Sequence, residues 1–176
     1  LGASGGLGRA VVDMLRQVSD CTIGAHGNTN LYDAAGDPRV LPLEASLESE
    51  ADCIDVVDRF CEAAGGIDAL VMLAGRLTAT DHWDGLSAAE WQDDIHLNLN
   101  IPFFAARAAL RRMKAQGGVG RIVLNGTESA LHGGSPQSFP YAVAKRGTEA
   151  LVQGLARDGA PDGILVNGVR LGFIAS

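Results

Sequence analysis

Four glycines in seven residues, Gly2-Ala3-Ser4-Gly5-Gly6-Leu7-Gly8, narrow what this chain can fold into more than any other stretch. Glycine is required where the backbone takes positive φ, or where a side chain would block the approach of another group. Val11, Met14, Leu15 and Val18 follow at helical spacing, so the loop opens a first helix. The first turn of such a helix has unpaired amides and a partial positive charge, which suits a pyrophosphate. Both Gly2-x-x-x-Gly6-x-Gly8 and Gly2-x-x-Gly5-x-x-Gly8 are satisfied. The loop alone does not choose between the dinucleotide-binding proteins that use these spacings.

Strand and helix patterns alternate through the remainder. Residues 21–25 and 40–43 read as strands, and Ile54, Val57, Phe60 and Ala64 form an amphipathic helical stripe closed by Gly65-Gly66. Residues 69–73 are a continuous apolar run of the buried-strand type. Ser87 and Glu90 have the spacing of a capping box for a helix carrying Trp91 and Ile95. An alanine-rich helix is expected over 98–116, a strand over 121–125, a helix over 141–156 and a last strand over 165–169. This alternation predicts an α/β fold, a doubly wound parallel sheet with helices on both faces, in one domain over 1–176. Such a sheet feeds its glycine loop from a central strand, yet only Leu1 precedes Gly2. Hydrophobic sequence is therefore expected before Leu1 in the complete protein, and further sequence after Ser176.

With 176 residues and 47% hydrophobic content, one substantial core can be buried. The formal net charge of −7, with no basic stripe, argues against nucleic acid as a partner. No apolar run reaches the roughly 20 residues that span a bilayer. Cys21, Cys53 and Cys61 have no metal-like spacing and read as small buried hydrophobes in a reducing cytoplasm.

About 20 residues past a glycine loop, an acidic residue would bind the adenosine ribose and favour NAD. This chain has His26-Gly27-Asn28-Thr29 there. With no carboxylate to repel a 2′-phosphate, NADP(H) is expected rather than NAD(H), with His26 and Asn28 near the phosphate. For His26 a surface loop position is an equally open reading. Glu44, with Ala45 after it, is placed to accept from the adenine amino group, although a solvated acid explains Glu44 as well.

Far downstream, Tyr141 and Lys145 stand at i and i+4 and share a helix face. Pro140 suits a helix start. A tyrosine near pKa 10 must fall by roughly three units, about 4 kcal/mol, to act near neutrality. One ammonium about 4 Å away at an effective dielectric near 20 supplies about that much. On this reasoning Lys145 acidifies Tyr141.

Taken in order, these residues resemble the short-chain dehydrogenase/reductase family, in its shorter single-domain branch, over essentially the whole chain. Gly2, Gly6 and Gly8 match the cofactor loop. Leu73-Ala74-Gly75 falls where the family has Asn-Ala-Gly, and Asn98 matches the helix asparagine of its catalytic tetrad. Thr127 falls where serine is usual, Tyr141 and Lys145 complete the set, and 166–176 resembles the closing Pro-Gly-x-Ile-x-Thr stretch. The resemblance implies a Rossmann-like fold and hydride exchange between a nicotinamide cofactor and a ketone or secondary alcohol. It implies Tyr141 as proton donor or acceptor, Thr127 as the substrate-oxygen contact, and Asn98 as holder of a water leading to Lys145. Cofactor contacts are implied for Gly2, Ser4, Gly6, Leu7, Gly8, Ala74, Gly75, Tyr141, Lys145, Gly172, Ile174 and Ser176. A homodimer or homotetramer is implied too, with the alanine-rich stretch 104–109 and the Tyr141 helix as its surfaces; helix-on-sheet burial also explains the alanines.

Thr127, Leu73 and Leu171 depart from the family's pattern, and Ser129 is a second candidate for the hydroxyl role. Two other functions stay open. The second glycine spacing admits a nucleotide-sugar epimerase or dehydratase, and the three departures admit a noncatalytic NADP-binding regulator.

Overall fold

The computed structural model describes every residue except Thr80, Asp81, Phe173, Ala175 and Ser176. Five strands and five α-helices follow one another along them, with β1 and β2 consecutive and two helices between the third and fourth strands. Helix α1 (Gly6–Val18) starts inside the glycine loop. Strand β1 (Ile23–Gly27) pairs in parallel with β2 (Val40–Glu44), and α2 (Glu50–Ala64) follows. Strand β3 (Ala69–Met72) pairs with β4 (Gly120–Thr127), which pairs with β5 (Ile164–Leu171), again all parallel. Between β3 and β4 run α3 (Ala88–Ile95) and α4 (Ile101–Ala115); α5 (Phe139–Gly159) connects β4 to β5.

The described strands form two sheets, β1-β2 and β3-β4-β5. Residues 1–3 lie between them at the carboxyl ends of β1 and β3. The Ala3 amide donates to the His26 carbonyl at 2.7 Å, and the Leu73 amide to the Leu1 carbonyl at 2.9 Å. In the main core Ile101, Ala105, Ala109 and Met113 of α4 pack against Met72, Ile122, Leu124 and Ile164. Alanine brings the α4 backbone close to the sheet, and Gly120 completes the fit: a Cβ there would lie 2.5 Å from the Met113 sulfur.

The capping box at Ser87 and Glu90 is present in both directions. Helix α3 does not stop at Ile95 but passes through a π-helical turn (His96–Asn100) directly into α4. At the far end Gln116 clamps the backbone of Ile67, which donates to Oε1 at 2.8 Å and accepts from Nε2 at 3.2 Å. Strand β1 begins two residues later than its apolar run suggested, because Cys21 and Thr22 are exposed. The cysteines accordingly differ: Cys53 is buried, its thiol pushed up to about 12 by burial, whereas Cys21 lies at the surface. Among the described residues no helix is long and apolar enough to cross a membrane, and no acidic, His or Cys cluster could hold a metal ion.

Candidate active site

The glycine loop is closed by contacts that admit no side chain. A Cβ on Gly8 would lie 2.1 Å from the Gly2 carbonyl oxygen, and one on Gly2, whose φ is +87°, would lie 2.6 Å from the Ala74 amide nitrogen. A Cβ on Gly5 would meet only the Gly2 oxygen, at 3.9 Å. The loop thus folds flat against the end of β3, with Gly6 and Leu7 opening α1. No side chain caps α1, and its first turn has no acidic residue, so its amides stay open to an anion. Ser4 lends its carbonyl to the Arg9 side chain at 3.0 Å.

His26 is turned inward rather than lying at the surface, with both ring nitrogens engaged by the chain's own backbone. It is 4% exposed, and its Nδ1 accepts from the Gly2 amide at 3.2 Å while Nε2 faces the Ala45 carbonyl at 3.1 Å. Burial pushes this imidazole down to about 4, which keeps it neutral and suited to accept at Nδ1 and donate at Nε2. His26 therefore ties the glycine loop to the end of β2. The sequence hides this because a strand-end histidine looks the same whether its ring turns in or out.

Gly27 ends β1, and a Cβ there would lie 2.1 Å from the Asn30 carbonyl oxygen. The backbone of residues 28–30 folds over the position where an acid would stand. Asn28, just past β1, and Glu44, at the end of β2, are both exposed.

At the carboxyl end of the second sheet four polar residues are buried together: Asn98, Asn125, Thr127 and Lys145. Thr127 ends β4, where its hydroxyl accepts from the Ser129 amide at 3.3 Å and its side chain acts on the Tyr141 phenol. Tyr141 lies in the first turn of α5, and Lys145, one turn on, has its Nζ 5.7 Å from the Tyr141 ring centre. Lys145 is fully buried and donates to Asn125 Oδ1 at 3.0 Å. Asn98 and Lys145 converge on Gly75, where a Cβ would lie 2.8 Å from Asn98 Oδ1 and 3.3 Å from Lys145 Nζ.

The electrostatics correct the acidification argument. Tyr141 is held above its usual value, first by burial and also by the negative charge of Asp94, while the Thr127 side chain pulls the other way. The Lys145 ammonium lies over the ring, 5.7 Å from its centre, and donates to Asn125 Oδ1. Burial lowers Lys145 itself to about 8.

Asn98 is also more committed than expected. Its Nδ2 donates to the Arg76 and Asp94 carbonyls at 2.8 and 3.0 Å, and Oδ1 accepts from the Arg76 amide at 3.2 Å. Its carbonyl accepts from the Thr148 hydroxyl at 3.2 Å. The side chain braces the loop after β3, with both Nδ2 hydrogens engaged by the chain's own carbonyls and one bond accepted at Oδ1. Asn125 was missed by sequence reasoning; its one signal is a polar residue inside the apolar run of β4. Gly172 and Ile174 lie just past β5, both exposed. Ser176, expected at the nicotinamide end, lies outside the described residues.

Comparison with known proteins agrees with this geometry. The family model described as short chain dehydrogenase matches residues 1–176. The 3-oxoacyl-(acyl-carrier-protein) reductase FabG of Salmonella typhimurium is 32% identical over 177 residues, 98% of this chain and 71% of the relative. An uncharacterized oxidoreductase of Schizosaccharomyces pombe is 32% identical over 179 residues, 99% of this chain and 66% of the relative. The chain thus spans roughly two thirds of the length of these relatives. Among solved structures, a short-chain dehydrogenase/reductase from Serratia marcescens superposes with a TM-score of 0.83 at 27% identity, over 96% of this chain and 74% of that one. The chain belongs to the short-chain dehydrogenase/reductase family, Rossmann-like oxidoreductases that move hydride between a nicotinamide cofactor and a carbonyl or alcohol carbon.

Proposed function

We propose that this protein is an NADP(H)-dependent reductase of a ketone, or dehydrogenase of the corresponding secondary alcohol, with Tyr141 as the proton-transfer group. The observation that carries the reading is Thr127, at the end of β4, acting on the Tyr141 phenol, with buried Lys145 one helical turn behind. A hydroxyl and a phenol held together can both point at one substrate oxygen.

The residues present fit a dinucleotide. Gly2 and Gly8 leave a loop whose backbone no side chain shields, and the uncapped start of α1 faces it. When bound, the cofactor supplies or takes up the hydride. Gly2, Ser4, Gly6, Leu7 and Gly8 would hold its pyrophosphate, Ala74 and Gly75 its middle, Glu44 and Ala45 its adenine, and Gly172, Ile174 and Ser176 its nicotinamide end. Lys145 would hold the nicotinamide ribose. Thr127 orients the substrate oxygen, and Tyr141 delivers its proton there as negative charge develops. A phenol held above its usual value is fully protonated at neutral pH, which suits reduction. Oxidation then gains as pH rises.

Preference for NADP(H) is supported at Gly27 and Asn28: no carboxylate stands at the end of β1, and the Asn30 carbonyl leaves no room for one at Gly27. Asn28 is exposed and can donate to a 2′-phosphate. A cytoplasmic location fits the unpaired cysteines and the acidic surface. A homodimer or homotetramer would not use the alanines of 104–109, which are already buried in the core. The outer face of α5, with Val143 and Arg146 exposed, is the better surface.

The test mixes purified protein with NADPH or NADH and a panel of ketones, following cofactor absorbance. Turnover faster with NADPH is expected, with Tyr141→Phe cutting it at least a hundredfold while nucleotide binding persists. Unchanged turnover in Tyr141→Phe rejects the proton-transfer role. Nucleotide binding without turnover across the panel would favour the regulator.

A further inference from the structure

Asp94, in the last turn of α3, is a carboxylate with no exposed surface. Burying such a charge costs several kcal/mol unless donors surround it. Here they do. The Thr78 amide donates to Oδ1 at 3.0 Å and the Ala79 amide to Oδ2 at 3.1 Å. The Asn98 Nδ2 lies 3.3 Å from Oδ1. Asp94 and Asn98 stand at i and i+4 and so share one helix face. Asn98 holds the Arg76 backbone from both sides, and Asp94 holds the next stretch of the same loop. An apolar side chain at this point on α3 would pack at lower cost. What the carboxylate adds is the position of a backbone that water would otherwise claim.

We propose that Asp94 is a positioning residue of the proton-transfer site: it pins residues 78–79 and the Asn98 amide, fixing the loop after β3 beside Tyr141. The pinned loop forms one wall of the site at the carboxyl end of β3. A second effect is electrostatic. The negative charge of Asp94 acts on Tyr141 and favours the protonated phenol, so the residue that shapes the wall also holds the donor loaded.

The other charged groups around α5 leave Asp94 in this role. Lys145, on α5 itself, donates a hydrogen bond to Asn125 Oδ1. From β4 come neutral Asn125 and Thr127. His96, in the π turn, is engaged with the Glu48 carbonyl. Glu149 of α5 and Arg170 of β5 pair with each other at 2.6 Å, and Glu128, after β4, is exposed and acts on Arg170.

The catalytic meaning rests on Tyr141 being the proton-transfer group, but the test reads the phenol directly. Phenolate absorbance near 295 nm is titrated in the Asp94→Asn and Asp94→Glu variants and in the unsubstituted protein, each against its Tyr141→Phe counterpart so that Tyr32 cancels. Asp94→Asn is expected to lower the Tyr141 midpoint, seen as more phenolate at a fixed alkaline pH than in the unsubstituted protein. Asp94→Glu keeps the charge and should stay near the original midpoint. A midpoint unmoved in Asp94→Asn overturns the electrostatic role. Amide hydrogen exchange in the unsubstituted protein tests the mechanical one even if the variants fail to fold. Thr78 and Ala79 amides should exchange at least a hundredfold more slowly than exposed loop amides, and free exchange at both overturns the pinning. Lost turnover in Tyr141→Phe does not enter either readout, and a failed Tyr141 assignment would show as normal turnover in that variant.

Discussion

Replacing Lys145 by Met should abolish catalysis while leaving the fold as stable as before, or more so. Lys145 is fully buried, and burial brings it from 10.5 to about 8, which corresponds to about 3 kcal/mol. The sign follows from which state holds the proton. Below pH 8 both folded and unfolded chains carry the ammonium, and the fold bears the cost of burying it. Between pH 8 and 10.5 the folded chain has released the proton while the unfolded chain keeps it, so stability climbs through that window. Methionine fills a similar volume without a charge. Against this gain stands Asn125, whose Oδ1 loses its donor, a cost of about 1–3 kcal/mol. Near pH 7 the two nearly cancel, and the variant should lie between equal stability and about 2 kcal/mol above the original. The assay is urea unfolding of both proteins from pH 6.5 to 10.5 without nucleotide. Their difference should be flat below pH 8, then move by about 3 kcal/mol in favour of the lysine protein as pH rises. A flat difference over the whole range, or a Met variant more than about 3 kcal/mol weaker at pH 7, would refute the reasoning.

Other substitutions test other parts of the structure. Gly8→Ala drives a methyl into the Gly2 carbonyl oxygen and should cost about 1–3 kcal/mol, with nucleotide affinity lost more than tenfold in a fluorescence titration. His26 is held near 4, so its contribution is whole above pH 6.5 and is lost as pH falls toward 4. His26→Gln should flatten the acid side of a thermal-melt profile by up to about 3 kcal/mol between those limits. Ser87→Ala removes the capping box of α3 and should lower stability by about 1 kcal/mol in the same unfolding assay, with nucleotide affinity unchanged.

The parts legible in the sequence were those written in local spacing. Tyr141 and Lys145 share a face because four residues make about one turn, and Ser87 caps α3 because Glu90 lies three residues on. The alternating apolar runs yielded every described strand to within two or three residues at each end. What stayed hidden depends on contacts across the fold. No local pattern says that His26 turns inward to Gly2, that Asp94 is buried beneath residues 78–79, or that Lys145 reaches Asn125. The acidification of Tyr141 failed for the same reason. Sequence supplied the two groups but not the direction of the ammonium, nor the depth of burial that opposes it. The alanines of 104–109 carry no mark saying which surface they meet; the sheet of their own chain takes them.

Helix α3, the π turn and α4 form one unbroken run from the Ser87 cap to the Gln116 clamp on Ile67. Asn98 sits part-way along it, about 27 Å from the clamp at helical rise. The run behaves as a beam held at both ends, and its one wide turn is where it can yield. Loosening the distant support at Gln116 would then be felt as slack at the asparagine, so wear far from the chemistry can still blunt it.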